Sequence, residues 1–203
     1  MWHVDNLKIF HDDPNAVTEV IESLSKAFGK EAPLTITHGK VHDYLGMTFD
    51  YISPGKVKII MVDYIKKILD GMPPKFDGES ATAAANHHFE VNTKDPTKLD
   101  EDKATMFHHK VAKLLFLCKR ARPDIQTAVV FLCGRVKSPD TDNYKKLGQA
   151  IKYLHGTLNM PLTLEGDSAR AVKWWVYASY AVHQDRKSHT GEAMTLGKGA
   201  VYG

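Results

Sequence analysis

Cysteine is scarce in this 203-residue chain, which has only Cys118 and Cys133. Both fall in apolar, helix-like patterns. A disulfide framework and a cysteine-based zinc site are therefore excluded, and a reducing, intracellular compartment is expected. Long hydrophobic runs are missing too. Stretches such as AVVFLC at 128–133 fall far short of the roughly 20 apolar residues of a membrane span. The N-terminus has no basic segment leading into a long apolar run, so no signal peptide is read there. Nucleus, cytoplasm and organelle all stay open. One further absence is local. The chain opens MWHVDNLKIF, with Asp5 between two apolar runs and an amide, Asn6, where a second acid would make a metal-binding pair.

What is present suits a globular protein of one large domain or two small ones, with 43% hydrophobic residues. The net charge of +3 is unevenly spread. Eleven Lys and Arg against three acids between Lys103 and His155 leave that stretch at +8, so the remainder carries −5. A local basic field of this kind favours a polyanion, nucleic acid first, or else forms a solvated lysine face.

The pattern predicts an α+β chain. Asp5-Asn6 reads as the tip of a β-hairpin. Asp13 as N-cap and Pro14 at the first helical position open a helix with Val17, Ile21, Leu24 and Phe28 on one face, ended by Gly29. Residues 34–61 alternate like antiparallel strands, with turns at Gly39 and Pro54-Gly55, and a short amphipathic helix follows. Residues 77–101 are polar and rich in small side chains, and read as a long connection. Three helices are predicted next. Phe107, Val111, Leu114, Leu115 and Cys118 point inward from the first. Ile125, Ala128, Val129, Leu132 and Val136 do so from the second, and Tyr144, Leu147, Ile151 and Leu154 from the third. The tail reads as three strands, AVKWWVYASYAV, SHTGEAMTLG and GAVYG, with no covering helix.

Four stretches, taken in order, carry a resemblance. HVDNLKIF looks like the Tyr-Val-Asp-Asp hairpin of a polymerase, and DYLGMTFDY with DYIKKIL like a Phe-Leu-Gly strand and its helix. AKLLFLCKRARPDIQTAVVFL with YKKLGQAIKYLHGT is similar to a Leu-x-Tyr-Leu…Thr-Arg-Pro-Asp-Ile segment and a later Arg-Tyr-Leu-Lys-Gly-Thr. DRKSHTG is similar to an Asp-Arg-Lys-Ser-x-Ser-Gly turn. Together they resemble the reverse transcriptase of copia-type LTR retrotransposons, from the C-terminal palm into the RNase H part. The resemblance implies a palm part at 1–76, a linker at 77–101, a helical thumb and connection at 102–158, and an incomplete RNase H-like sheet at 161–203.

Polymerases of this family and RNase H domains both use carboxylates to hold two divalent ions. By the resemblance, Asp5 keeps the first hairpin position while Asn6 replaces the second acid, and Tyr177 replaces the first RNase H acid. The third polymerase acid would precede Met1, and the remaining RNase H acids would follow Gly203. The chain is therefore expected not to polymerise DNA by itself and to use no cofactor. Mg²⁺ would enter only if the ancestral polymerase activity survives. The expected role is a structural or interaction subunit, with a protein partner covering the unfinished sheet. The alternatives are a non-catalytic module binding RNA or DNA, or a part of an active polyprotein. Lys119, Arg120, Arg122, Lys145, Lys146 and Lys152 are the candidate phosphate contacts. His87-His88 and His108-His109 read as surface histidines, because no Cys or acid cluster completes a ligand set. Of Trp174-Trp175, alternation sends one to the core, while base stacking remains the other reading.

Overall fold

The computed structural model describes residues 2–3, 6–92, 96–169, 171–181, 186 and 188–202. Trp2–His3 (β1) pairs antiparallel with Asn6–Leu7 (β2), His3 lying opposite Asn6. The expected hairpin is there, but its register makes Asn6 a strand residue rather than half of the turn. Asp5 lies outside the described residues. Pro14–Phe28 forms α1, where an Asp13 side-chain oxygen accepts from the Asn15 amide at 2.9 Å. The expected apolar stripe is not covered: α1 has no buried residue, and Phe28 is 57% exposed.

Val41–Tyr44 (β3), Met47–Asp50 (β4) and Lys56–Ile60 (β5) form an antiparallel meander. Tyr44 pairs with Met47 across Leu45-Gly46, whose φ angles are +53° and +75°. Two left-handed residues in a two-residue loop match the right-handed twist of the strands. This is the physical content of the Leu-Gly motif, and the sequence reading did not mark it as a turn. Val62–Leu69 (α2) buries Ile65 and Ile68. Its end is held by Lys110, whose buried ammonium donates to the carbonyls of Ile68 and Asp70.

The stretch expected as an open linker is packed down. The Ser80 amide donates to the Lys152 carbonyl at 3.3 Å, and Gln149 donates to Ser80 Oγ at 2.5 Å. Lys98 forms a β-bridge with Asp140, and Ala83 and His88 are buried. Small residues let the backbone lie against helices, and helix side chains satisfy its polar groups. Composition alone does not separate such a strap from a free connection.

The three predicted helices form as Glu101–Cys118 (α3), Gln126–Cys133 (α4) and Thr141–Gly156 (α5). A 3-10 turn at Pro123–Ile125 leads into α4. Asp140 and Asn143 close a reciprocal capping box on α5. All the predicted inward residues are buried except Leu115 and Val136, which pack at the margin. One hydrophobic core joins these helices to Tyr44, Met47, Phe49 and Ile59 of the sheet.

Leu162–Gly166 (β6), a strand the sequence reading did not identify, pairs antiparallel with β5, Ile59 opposite Leu162. An ion pair of 3.2 Å between Lys56 and Glu165, which lie opposite one another, suits that register. Sheet pairing thus crosses the expected border between 1–76 and 161–203. Lys173–Ser179 (β7) and His189–Thr195 (β8) form a separate two-stranded hairpin. Gly197–Lys198 (β9) returns to β6, so the main sheet runs β3-β4-β5-β6-β9. Of the three expected tail strands the first two form the β7–β8 hairpin, while the described part of the third, 199–202, makes no named strand and meets β8 only at the Met194–Tyr202 bridge. Among the described residues no helix is long and apolar enough to cross a membrane.

Candidate functional site

The six candidate phosphate contacts divide by burial. Lys119, Arg120 and Lys145 are exposed and Lys152 is half-buried, but Arg122 and Lys146 are 1% and 3% exposed. These last two are corrections to the expected basic strip. A cation reaches phosphate only if it reaches solvent, and both are consumed inside the fold.

Arg122 follows α3 and precedes Pro123. Its Nε and Nη2 donate to the Asp124 carboxylate at 2.9 and 2.8 Å, a bidentate pair. Its Nη1 donates to the Thr157 carbonyl at 2.9 Å and Nη2 to Thr157 Oγ1 at 2.7 Å. Two motifs 35 residues apart, ARPDI and YLHGT, are thereby one clamp, fastening the turn after α3 to the end of α5.

Lys146 sits on α5, 2.7 Å from Asp142 one helical turn earlier, and donates to the Glu90 carbonyl at 2.5 Å. Its ammonium lies 5.0 Å from the centre of the Phe131 ring, and the His88 ring lies 5.3 Å from the same ring. His88 corrects the surface-histidine expectation, being fully buried with Nε2 at 3.1 Å from the Ala128 carbonyl. As a neutral ring it donates there. Nδ1 has no partner among the described atoms. The apolar neighbours Phe89 and Phe131 made this pocket, but no local pattern around His88 announced it.

Burial holds the His88 imidazole below its ordinary value, with Lys146 and His87 pushing the same way. The Ala128 hydrogen bond and Asp142 oppose this. The unfolded chain therefore takes up the proton first. Stability is full above the unfolded value of about 6.5 and falls as pH drops through it toward the lower folded value. Urea midpoints measured on either side of that value should show this loss in the native chain. In His88→Phe the slope should shrink by about one proton. An equal slope in both proteins would exclude His88 as its source.

His108 and His109 are exposed, as expected. Burial pushes the Cys118 thiol up to about 11, so it is a core residue rather than a nucleophile. The sequence reading also missed Lys8. Its ammonium lies 5.2 to 5.4 Å from the ring centres of Phe10, Phe49 and Tyr51, pinning the segment after β2 to the sheet.

Tyr177 lies on β7 opposite Gly191 and is 70% exposed. Its strand face carries Lys173 and Trp175 on β7, with Ala193 and Thr195 across on β8. Glu192 pairs with Val176 and so belongs to the other face, where Tyr202 bonds to it and packs on Trp174. Paired Mg²⁺ ions require converging carboxylates. The side chains around Tyr177 do not fit them, and the described residues hold no group of three His, Cys, Asp or Glu suited to a metal. The alternation argument for the tryptophans fails as well, since Trp174 and Trp175 are 53% and 55% exposed on opposite faces. A two-stranded ribbon has no core side.

No family model and no solved structure matches the chain. Three curated proteins do, among them two from transposons. The transposon Ty5-1 protein YCL074W of Saccharomyces cerevisiae is 26% identical over 198 residues, covering 98% of this chain and 62% of that protein. The retrovirus-related Pol polyprotein from transposon TNT 1-94 of Nicotiana tabacum is 26% identical over 207 residues, covering 99% of this chain and 15% of the polyprotein. The chain spans less than two thirds of the length of either relative. Along nearly its whole length the chain is thus similar to two transposon proteins, one of them a Pol polyprotein.

Proposed function

We propose that the chain is a reverse transcriptase-derived fragment, from the C-terminal palm part through a helical thumb and connection into the start of the RNase H part. In this reading it has lost two-metal chemistry and serves as an interaction subunit. The observation that carries the reading is the Tyr177 face. Where the family resemblance calls for an acid, the strand presents a water-exposed aromatic among Lys173, Trp175 and Ala193. A carboxylate that held metal would need acidic neighbours within reach, and among the described residues the strand positions of this face carry no acid, the carboxylate of Asp167 being bound to Lys173. The large apolar side chains left on both sides of the β7–β8 ribbon suit a surface that meets another protein.

Primer extension and RNA-strand cleavage with Mg²⁺ or Mn²⁺ test this. Neither activity is expected above the protein-free control, and Asn6→Asp with Tyr177→Asp should not raise it. Metal-dependent nucleotide incorporation by the native chain would overturn the reading.

A second reading, non-catalytic nucleic-acid binding, draws on one feature. The Arg120 guanidinium lies 3.7 Å over the Phe116 ring, which packs 5.1 Å from Tyr64, a cation–aromatic stack at the α2–α3 junction. Binding of a primer–template duplex by the same preparation, weakening steeply with salt, would favour it.

A further inference from the structure

We propose that β7 is a dimerisation strand: two copies of the chain pair antiparallel, edge to edge, about a two-fold axis at Val176. This rests on the reading of the chain as an interaction subunit and names the partner as a second copy of itself. Three observations lead there.

The first is an open edge. β7 pairs with β8 along all seven of its residues, and among the described residues no strand lies on its other side. The outer edge of β8 is partly occupied, because the Met194 amide donates to the Tyr202 carbonyl and the Met194 carbonyl accepts from the Val201 amide, both at 2.9 Å. Pairing of the same edge about a two-fold axis is isologous and closes at two copies rather than growing into a fibre.

The second is the lack of any device that blocks pairing. Natural edge strands carry lysines, prolines or bulges to prevent it. In KWWVYAS the only charge is Lys173 at the end, and its ammonium is engaged by Asp167.

The third is self-complementarity. An antiparallel register centred on Val176 sets Val176 against Val176 of the second copy, and Trp175 against Tyr177 of the second copy. Just outside the strand ends it sets Val172 against Tyr180 of the second copy. Every one of these residues is at least 55% exposed in the single chain. Aromatic and β-branched residues directly opposite one another are the favourable cross-strand pairs. Trp174, Trp175, Tyr177 and Tyr180 are 53%, 55%, 70% and 92% exposed. At about 200 Å² per aromatic side chain, that leaves roughly 500 Å² per copy, so about 1,000 Å² for the pair to draw on. This is the size at which specific interfaces begin.

The test is the mass of the 203-residue chain in solution by light scattering and sedimentation. The native chain should have twice the mass of Val176→Lys, which sets two ammonium groups face to face at the axis. Position 176 is 70% exposed, so the variant should keep the native helical signal and melting temperature. Val176→Glu should also be monomeric, and mixing the Lys and Glu variants should restore the doubled mass. A native chain that stays monomeric to high micromolar concentration overturns the pairing. So does a Val176→Lys protein that remains dimeric, or a mixture that fails to reassociate. Any of these results, obtained alongside absent metal-dependent incorporation, would leave the interaction-subunit reading standing. Incorporation by the native chain would remove that reading instead.

Discussion

Replacing Arg122 by alanine is expected to cost the fold about 3–5 kcal/mol, the usual penalty for taking away the buried member of a hydrogen-bonded ion pair. The guanidinium is 1% exposed and spends its donors on Asp124 and Thr157. Alanine leaves the Thr157 carbonyl short of its donor and Asp124 short of its cation. It also leaves a void beside Tyr153, whose ring lies 5.5 Å from the guanidinium carbon. For a chain of this length each kcal/mol moves the melting temperature by roughly 2–4 °C, so a drop of about 10 °C is expected. Arg122→Lys should recover less than half of the loss, because an ammonium cannot make the planar bidentate contact while also reaching Thr157. Thr157→Val should be milder alone, and its cost should largely disappear on top of Arg122→Ala. Additive losses would mean that the two motifs are not one clamp. This role also explains why a basic residue in a basic stretch is no phosphate contact.

Helices and caps were legible in the sequence because their signals are local. Asp13 with Pro14 states where α1 begins, whereas the Asp140–Asn143 box that opens α5 is equally local but was not marked by the sequence reading. The inward stripe of α5, from Tyr144 to Leu154, follows from a repeat of 3.6 residues. Pairing partners were not legible. Nothing in LTLEG says that it lies against KVKII, because both are short strands and their union is decided by the core beneath Ile59. The exposure of α1 has the same cause in reverse. Its apolar stripe specifies a helix, but whether anything lies against that stripe is not encoded in the helix itself.

The candidate site was legible only as an inventory. Residue type identified the basic stretch, yet it did not tell Arg122 and Lys146 from Lys119 and Lys145. That difference is made by acceptors far along the chain, the Thr157 and Glu90 carbonyls. Lys110 is a parallel case: it reads as one more surface lysine of α3 and is instead the cap on α2. The substitutions at Asn6 and Tyr177 were visible through the family resemblance, whereas the make-up of the Tyr177 face needed the β7–β8 register.

Phe131 is where the packed strap and the helices meet, and Phe131→Ala is the second large expected effect. The ring is 2% exposed. His88 lies 5.3 Å from it, Phe89 meets it edge-on at 5.7 Å, and Lys146 and Arg135 approach to 5.0 and 4.7 Å. Truncation removes a large buried side chain, for which about 3–5 kcal/mol is usual. It also takes away the aromatic face beside the buried Lys146 ammonium. Phe131→Leu restores most of the volume but no ring, so it should cost less, with the remainder measuring the aromatic contacts. The loss should also be local before it is global. The strap around His88 is tied to α4 and α5 through Ala128, Lys146 and Phe131. Phe131→Ala should therefore open it to protease while α3 and α5 stay protected. Cleavage within 77–92 is expected to accelerate beyond what the measured unfolding constant explains. If cutting there merely tracks global unfolding, the strap is not an independently opening element, and its hold on the helices lies elsewhere.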